Sequence, residues 1–121
     1  MAISPPSSKG FYSTMRELKW SSTERAIARR CYDRALQREL NEAIQSAKEM
    51  AAKIRHASEL WDLEYHLTQL RKEIDRKYVY KYSTLILVFA DLIQEGRLDL
   101  ADLHGLSEDK LRYIRQHAEA A

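Results

Sequence analysis

Proline is absent beyond residue 6, glycine occurs only at positions 10, 96 and 105, and cysteine occurs once, at Cys31. A chain so poor in breakers has few tight turns to offer, which excludes a fold built on many short strands. One cysteine cannot close an intramolecular disulfide, and it fits a reducing compartment. The N-terminus lacks the apolar run of a secretory signal. The longest apolar run, Leu85 to Ala90, is six residues, against the roughly 20 needed to span a bilayer. A cytoplasmic protein with no transmembrane segment is therefore expected.

An excess of one charge is also missing. Twenty Lys and Arg face eighteen Asp and Glu, a formal charge of +2. That balance argues against nucleic acid as the partner, because such affinity comes mainly from neutralising phosphates. The distribution is mildly polar along the chain. Residues 21–56 carry eight basic and five acidic side chains, and residues 82–121 carry four and seven.

Catalytic and metal-binding constellations are lacking too. His56, His66, His104 and His117 have no partner at helical ligand spacing, and no cysteine stands near enough to complete a zinc site. Cys31 sits among Arg29, Arg30 and Arg34 and reads as a structural thiol. Glu73 and Asp75 are two apart and would not face each other on a helix. No glycine-rich phosphate loop exists. A non-enzymatic protein without cofactor or metal is expected.

What remains is helical periodicity. Residues 1–20 open as a Ser/Pro/Gly leader and are expected to be flexible, although Phe11, Tyr12, Met15 and Leu18 are spaced to dock as a short amphipathic turn. Ser21 precedes Glu24 by the spacing of a capping box. Leu36, Leu40, Ala43, Ala47, Met50 and Ile54 then step by 4, 3, 4, 3, 4, which predicts one helix over 22–55, roughly 50 Å long at about 1.5 Å per residue. Ser58 is the expected cap of a second helix carrying Leu60, Leu63, Leu67, Leu70 and Ile74, with Trp61 and Tyr65 beside that stripe. Ser83 is expected to cap a third, apolar nearly all round and therefore buried, which Gly96 ends. A short helix over 98–103 stops at Gly105. Ser107 caps the last helix, which buries Leu106, Leu111 and Ile114.

The predicted fold is all-α. An elongated two-helix arm over 21–81 leads into a compact helical head over 82–121. The stripe of Leu60, Leu63, Leu67 and Leu70 has more apolar surface than one chain can cover, and a two-fold homodimer is the commonest remedy. The competing arrangement is an arm folded back as a monomeric hairpin. Trp61 is a natural anchor for such an interface, and the guanidinium of Arg71 could bridge to a carboxylate of a second copy. Tyr78, Tyr80 and Tyr82 form an aromatic patch at the join of arm and head.

The runs WSSTERAIARRCYDRALQREL, ELWDLEYHLTQLRKEIDRKY and VFADLIQEG resemble the cyanobacterial fluorescence recovery protein family over about residues 20–115. The resemblance is specific in combination: Trp20-Ser21, Gln37-Arg38-Glu39-Leu40, Leu60-Trp61, Arg71, Glu73-Ile74-Asp75, Lys77-Tyr78, Val88-Phe89-Ala90 and Gln94-Glu95-Gly96. It implies a helical homodimer that binds the C-terminal domain of photoactivated orange carotenoid protein. It implies faster return of that partner from its red to its orange form, an end to phycobilisome quenching, and residence at the cytoplasmic face of thylakoid membranes through phycobilisomes. Residue by residue, Leu60 and Trp61 match the family's dimer-interface leucine and tryptophan, with Leu63, Leu67 and Arg71 completing the seam. Arg71 also matches its functionally important arginine. Leu87, Phe89, Arg112, Tyr113 and Arg115 are the head positions implied to meet the partner. Tyr65, Leu87 and Tyr113 stand where the family has a carboxylate, a phenylalanine and a lysine. A related carotenoid-binding protein, or an unrelated protein served by a helical adaptor, is the alternative client.

Overall fold

A computed structural model describes residues 8–120, with the side chains of 8, 9, 11 and 12 left out. Residues 1–7 of the expected leader, and the Phe11 and Tyr12 side chains, lie outside the described residues. The architecture is all helical. Five α-helices follow one another: α1 (Ser8–Glu17), α2 (Ser22–Ala52), α3 (Ala57–Lys77), α4 (Leu85–Gln94) and α5 (Glu108–Glu119), with a 3-10 turn at Leu100–Leu103 before α5.

The start of α2 is the predicted capping box. Ser21 Oγ accepts from the Glu24 N–H at 3.1 Å, and the Glu24 carboxylate accepts from the Ser21 N–H at 3.0 Å. Together these satisfy two of the donors that a helix N-terminus leaves open. Ser107 caps α5 in the same sense, accepting from the Lys110 N–H. Other ends differ from expectation. α2 stops at Ala52, and α3 starts behind His56, whose N–H donates to Glu59 at 3.2 Å, so Ser58 lies inside the helix. α4 starts behind Thr84 rather than Ser83, and the short helix over 98–103 is a single 3-10 turn. Gly96 and Gly105 take positive φ of 76° and 109°. A Cβ at Gly105 would also run into the Ile27 side chain, so only glycine lets this loop close on α2.

Two expectations about the head are corrected by burial. Residues 1–20 are not a loose leader throughout, because α1 forms and Met15 is buried in the core together with Trp20. The head also reaches back before residue 82. Ile27, Ala28, Cys31, Tyr32 and Ala35 on the front half of α2 share one core with Leu85, Ile86, Phe89 and Leu92 of α4, and with Leu103, Leu106 and Ile114. α4 packs chiefly on α5, and the small residues of α2 meet the 3-10 turn, where the Cys31 thiol lies 3.1 Å from the Asp102 carbonyl. Burying each large side chain in this core contributes about 1.5–3 kcal/mol. The rear half of α2 and α3 fold back on each other as a hairpin. The turns around Glu39, Ala43 and Ser46 lie against His66 and Leu70, which line a shared cleft.

Candidate functional site

The hairpin uses only part of the apolar stripe. Turned through about 100° per residue, Leu63, Leu70 and Ile74 of α3 fall on one side, and these are half-buried or buried. Leu60, Trp61, Tyr65 and Leu67 stay open at 46, 65, 64 and 40% exposure. On α2, Leu40 and Ile44 stay open as well. Leu60 and Leu67 share one edge of α3, and Trp61 and Tyr65 lie further round it. Six open large apolar side chains on one helical hairpin are more than a solvated arm needs and point to protein binding. Arg71 projects from the same edge as Leu60 and Leu67, eleven and four residues on. Its guanidinium is almost fully exposed and only 3.9 Å from Asp75, itself exposed. So loose a pair leaves the cation available to a partner's carboxylate.

The head residues separate. Leu87 is half-buried and lines a cleft with Val79, Lys81, Thr84 and Asp91. Tyr113 is half-buried against the core, with the Arg112 guanidinium 5.3 Å from its ring. Arg112 pairs with Asp109 at 3.1 Å, and with Arg115, Leu111 and Glu108 it lines a surface cleft. Phe89 corrects the expectation. It is fully buried, because this position of the nearly all-apolar α4 lies in the core that α4 shares with α5. It holds the head together and offers no face to a partner.

Sequence reasoning missed two buried ionic clusters that hold these faces in place. In the first, the Lys77 ammonium at the end of α3 donates to Glu39 on α2 at 2.8 Å and to Glu95 at the end of α4 at 2.7 Å. The Tyr78 hydroxyl donates to the other Glu39 oxygen at 2.7 Å. Arg97 completes the cluster, 3.2 Å from Glu39 and 2.8 Å from Glu42. Burial would raise the Glu39 pKa, but the bonds from Lys77 and Tyr78 and the nearby cations outweigh it and hold the carboxyl below its ordinary range. Burial and the Glu39 carboxylate push the Tyr78 hydroxyl up. The cluster fixes arm to head at one point.

The second cluster closes the head. Glu24 accepts from the backbone N–H of Ser21 and, at 2.9 Å, of Ser107, and it pairs with Lys110 at 3.1 Å. Lys110 also donates to the Lys19 carbonyl and stands 5.0 Å from the centre of the Trp20 ring. Burial raises the Glu24 pKa, yet the two backbone donors and Lys110 prevail and bring it from 4.5 to about 2. A depressed carboxyl contributes stability that is fully present above the unfolded value and is lost as pH falls through the folded one. Urea unfolding is therefore expected to lose about 3 kcal/mol between about pH 5 and pH 2 from this group. Glu24→Gln should flatten that acid limb, and a limb of unchanged steepness would assign the acid sensitivity elsewhere.

Among the described residues no cluster of His, Cys, Asp or Glu could hold a metal ion, and no helix is long and apolar enough to cross a membrane. The Cys31 thiol is buried and lies 3.1 Å from the Asp102 carbonyl. Burial pushes its pKa up, against the pull of Arg30 and Arg34, so it is a poor nucleophile.

Residues 20–118 match the family model described as photoprotection regulator fluorescence recovery protein. The fluorescence recovery protein of Synechocystis sp. is 35% identical over 99 residues, covering 82% of this chain and 91% of that protein. The solved structure of the Fremyella diplosiphon fluorescence recovery protein superposes with a TM-score of 0.80 at 40% identity, covering 84% of this chain and 99% of that one. The solved Synechocystis sp. structure gives a TM-score of 0.80 at 35% identity over the same shares.

Proposed function

The chain belongs to the fluorescence recovery protein family of photoprotection regulators, and from that premise we propose that it is a non-enzymatic homodimer that binds the C-terminal domain of photoactivated orange carotenoid protein. Binding speeds the partner's red-to-orange return and so ends phycobilisome quenching. The observation that carries the reading is that the match spans residues 20–118, arm and head alike. The open stripe of Leu60, Trp61 and Leu67 supplies the seam between copies, and Arg71 stands at its edge. Such a regulator needs no covalent chemistry. A protein that binds one conformer better, or stabilises the state between two conformers, shifts populations or rates through its differential affinity. The proposed location is the cytoplasm, peripheral to thylakoid membranes through phycobilisomes.

A second reading rests on Tyr65, Leu87 and Tyr113, which replace the carboxylate, phenylalanine and lysine of the resemblance. These changes favour a related carotenoid-binding protein as the client. Visible absorbance of red-form orange carotenoid protein, followed in the dark with stoichiometric amounts of this chain, decides between the two. Acceleration supports the first client; a rate equal to the partner alone rejects it and leaves the second. Arg71→Leu is expected to reduce the acceleration by about tenfold or more, the loss of one charge-assisted contact, with far-UV circular dichroism unchanged. Full activity of that variant would remove Arg71 from the site.

A further inference from the structure

The head carries a built feature away from the arm. A surface cleft of about 390 Å³ is lined by Leu18, Lys19, Trp20, Arg25 and Tyr82. Its walls are aromatic: the Trp20 and Tyr82 rings stand 5.5 Å apart. Tyr82 meets Tyr80 edge-on at 5.6 Å, and Tyr80 meets Tyr32 at 4.9 Å. Two guanidiniums one helical turn apart on α2 lie over this ladder, Arg25 over Tyr82 at 5.6 Å and Arg29 over Tyr80 at 4.6 Å. Such placement holds a long cationic side chain in a defined position.

The charges over the ladder are not equally compensated. Arg29 is paired with Asp33 at 3.2 Å. Neither Arg25 nor the Lys19 ammonium has a carboxylate partner among the described residues. Glu24 is already engaged by Ser21, Ser107 and Lys110. A second observation is independent of charge. Trp20 is 6% exposed, and its indole N–H has no hydrogen-bond partner. A buried donor without an acceptor costs about 1–3 kcal/mol, and folded proteins keep few of them.

We propose that this cleft docks an acidic segment of a protein partner. An apolar side chain of that segment rests on Leu18 and on the open side of Tyr82, whose ring backs onto Trp20 at 5.5 Å. Its flanking carboxylates sit on Arg25 and Lys19, and a small rotation of the indole lets its N–H donate to one of them. Charge complementarity selects this occupant. Two uncompensated cations suit one or two carboxylates, whereas nucleic acid asks for a longer row of phosphate contacts, and anionic lipid asks for a cluster of roughly four to eight Lys or Arg. The site is separate from Leu60, Trp61 and Arg71, and it holds whichever client the arm serves.

The test uses the full chain labelled with nitrogen-15. Its two tryptophans give two indole N–H signals, assigned with Trp61→Phe. The probes are a blocked Asp-Glu-Leu-Asp-Glu peptide, its Lys-Lys-Leu-Lys-Lys counterpart, oligothymidylate, and vesicles containing phosphatidylglycerol. The acidic peptide is expected to move the Trp20 signal saturably and to bind more weakly as salt rises. The exposed pair Lys19→Glu with Arg25→Glu should weaken that response by about tenfold or more, while the dispersed backbone amide signals of the head core, Leu85 to Leu92 among them, report an intact fold. The proposal is overturned if the acidic peptide leaves the Trp20 signal unmoved, or if the basic peptide moves it equally. It is also overturned if only oligothymidylate or vesicles act, or if the double variant responds like the parent.

Discussion

Leu60→Glu is expected to convert the proposed dimer into a single chain, read as a halving of the mass in size-exclusion light scattering. In a two-fold interface every residue acts twice. Leu60 is 46% exposed in the isolated chain, between Trp61 and Leu67, which are also open. Covering it is worth about 1.5–3 kcal/mol per copy. The substitution removes that contribution twice and places two carboxylates of like sign in an apolar seam, where an unpaired charge is expensive. A loss of about 5 kcal/mol weakens association more than a thousandfold. The same exposure makes the variant harmless to the single chain, because Leu60 takes no part in the head core. Helicity and the unfolding of the monomer should therefore persist. An unchanged mass would show that the exposed stripe serves some other partner.

How far the sequence could be read follows from which interactions are local. A capping box spans four residues, so Ser21 and Glu24 announce α2 without any tertiary information, and Ser107 does the same for α5. Leu60, Leu63, Leu67 and Leu70 likewise reveal a helix. Which of them face α2 and which stay open depends on the path of a second helix, and only the folded chain divides Leu63 and Leu70 from Leu60 and Leu67. The front half of α2 escaped the leucine seam because its buried positions include Ala28, Cys31 and Ala35, which are small and interleaved with arginines. Burial of α4 was legible in its composition, but which of its positions lie innermost was not: Phe89 is fully buried while Leu87, two residues before it, stays half-open. The buried charges are the clearest case. Glu39 meets Lys77 and Tyr78, 38 and 39 residues away, and Glu24 meets Lys110, 86 residues away. Charged residues ordinarily read as solvated surface. Glu39, Lys77-Tyr78 and Glu95 carried the family resemblance as separate words; the geometry gives their common reason, which is one junction between arm and head.

That junction supports the other large expected effect. Lys77→Met should destabilise the chain by about 3 kcal/mol, a substantial part of the roughly 5–15 kcal/mol that holds a small protein together. Lys77 and Glu39 are 4% and 6% exposed at their side chains. Removing one member of a buried pair leaves the other charged and uncompensated, which costs about 3–5 kcal/mol. The lower end applies because Arg97, 3.2 Å from Glu39, and the Tyr78 hydroxyl remain. Methionine keeps the length and apolar stem of lysine, so the loss reports the charge and not a cavity. Urea midpoints at constant slope measure it. The decisive comparison adds Glu39→Gln. If the cost of Lys77→Met is an orphaned carboxylate, neutralising that carboxylate relieves part of it, and the double variant loses less than the sum of the two single changes. Strict additivity would mean that Lys77 works through Glu95 alone. In that case the clamp would join α3 to the end of α4, with Glu39 held independently by Tyr78 and Arg97.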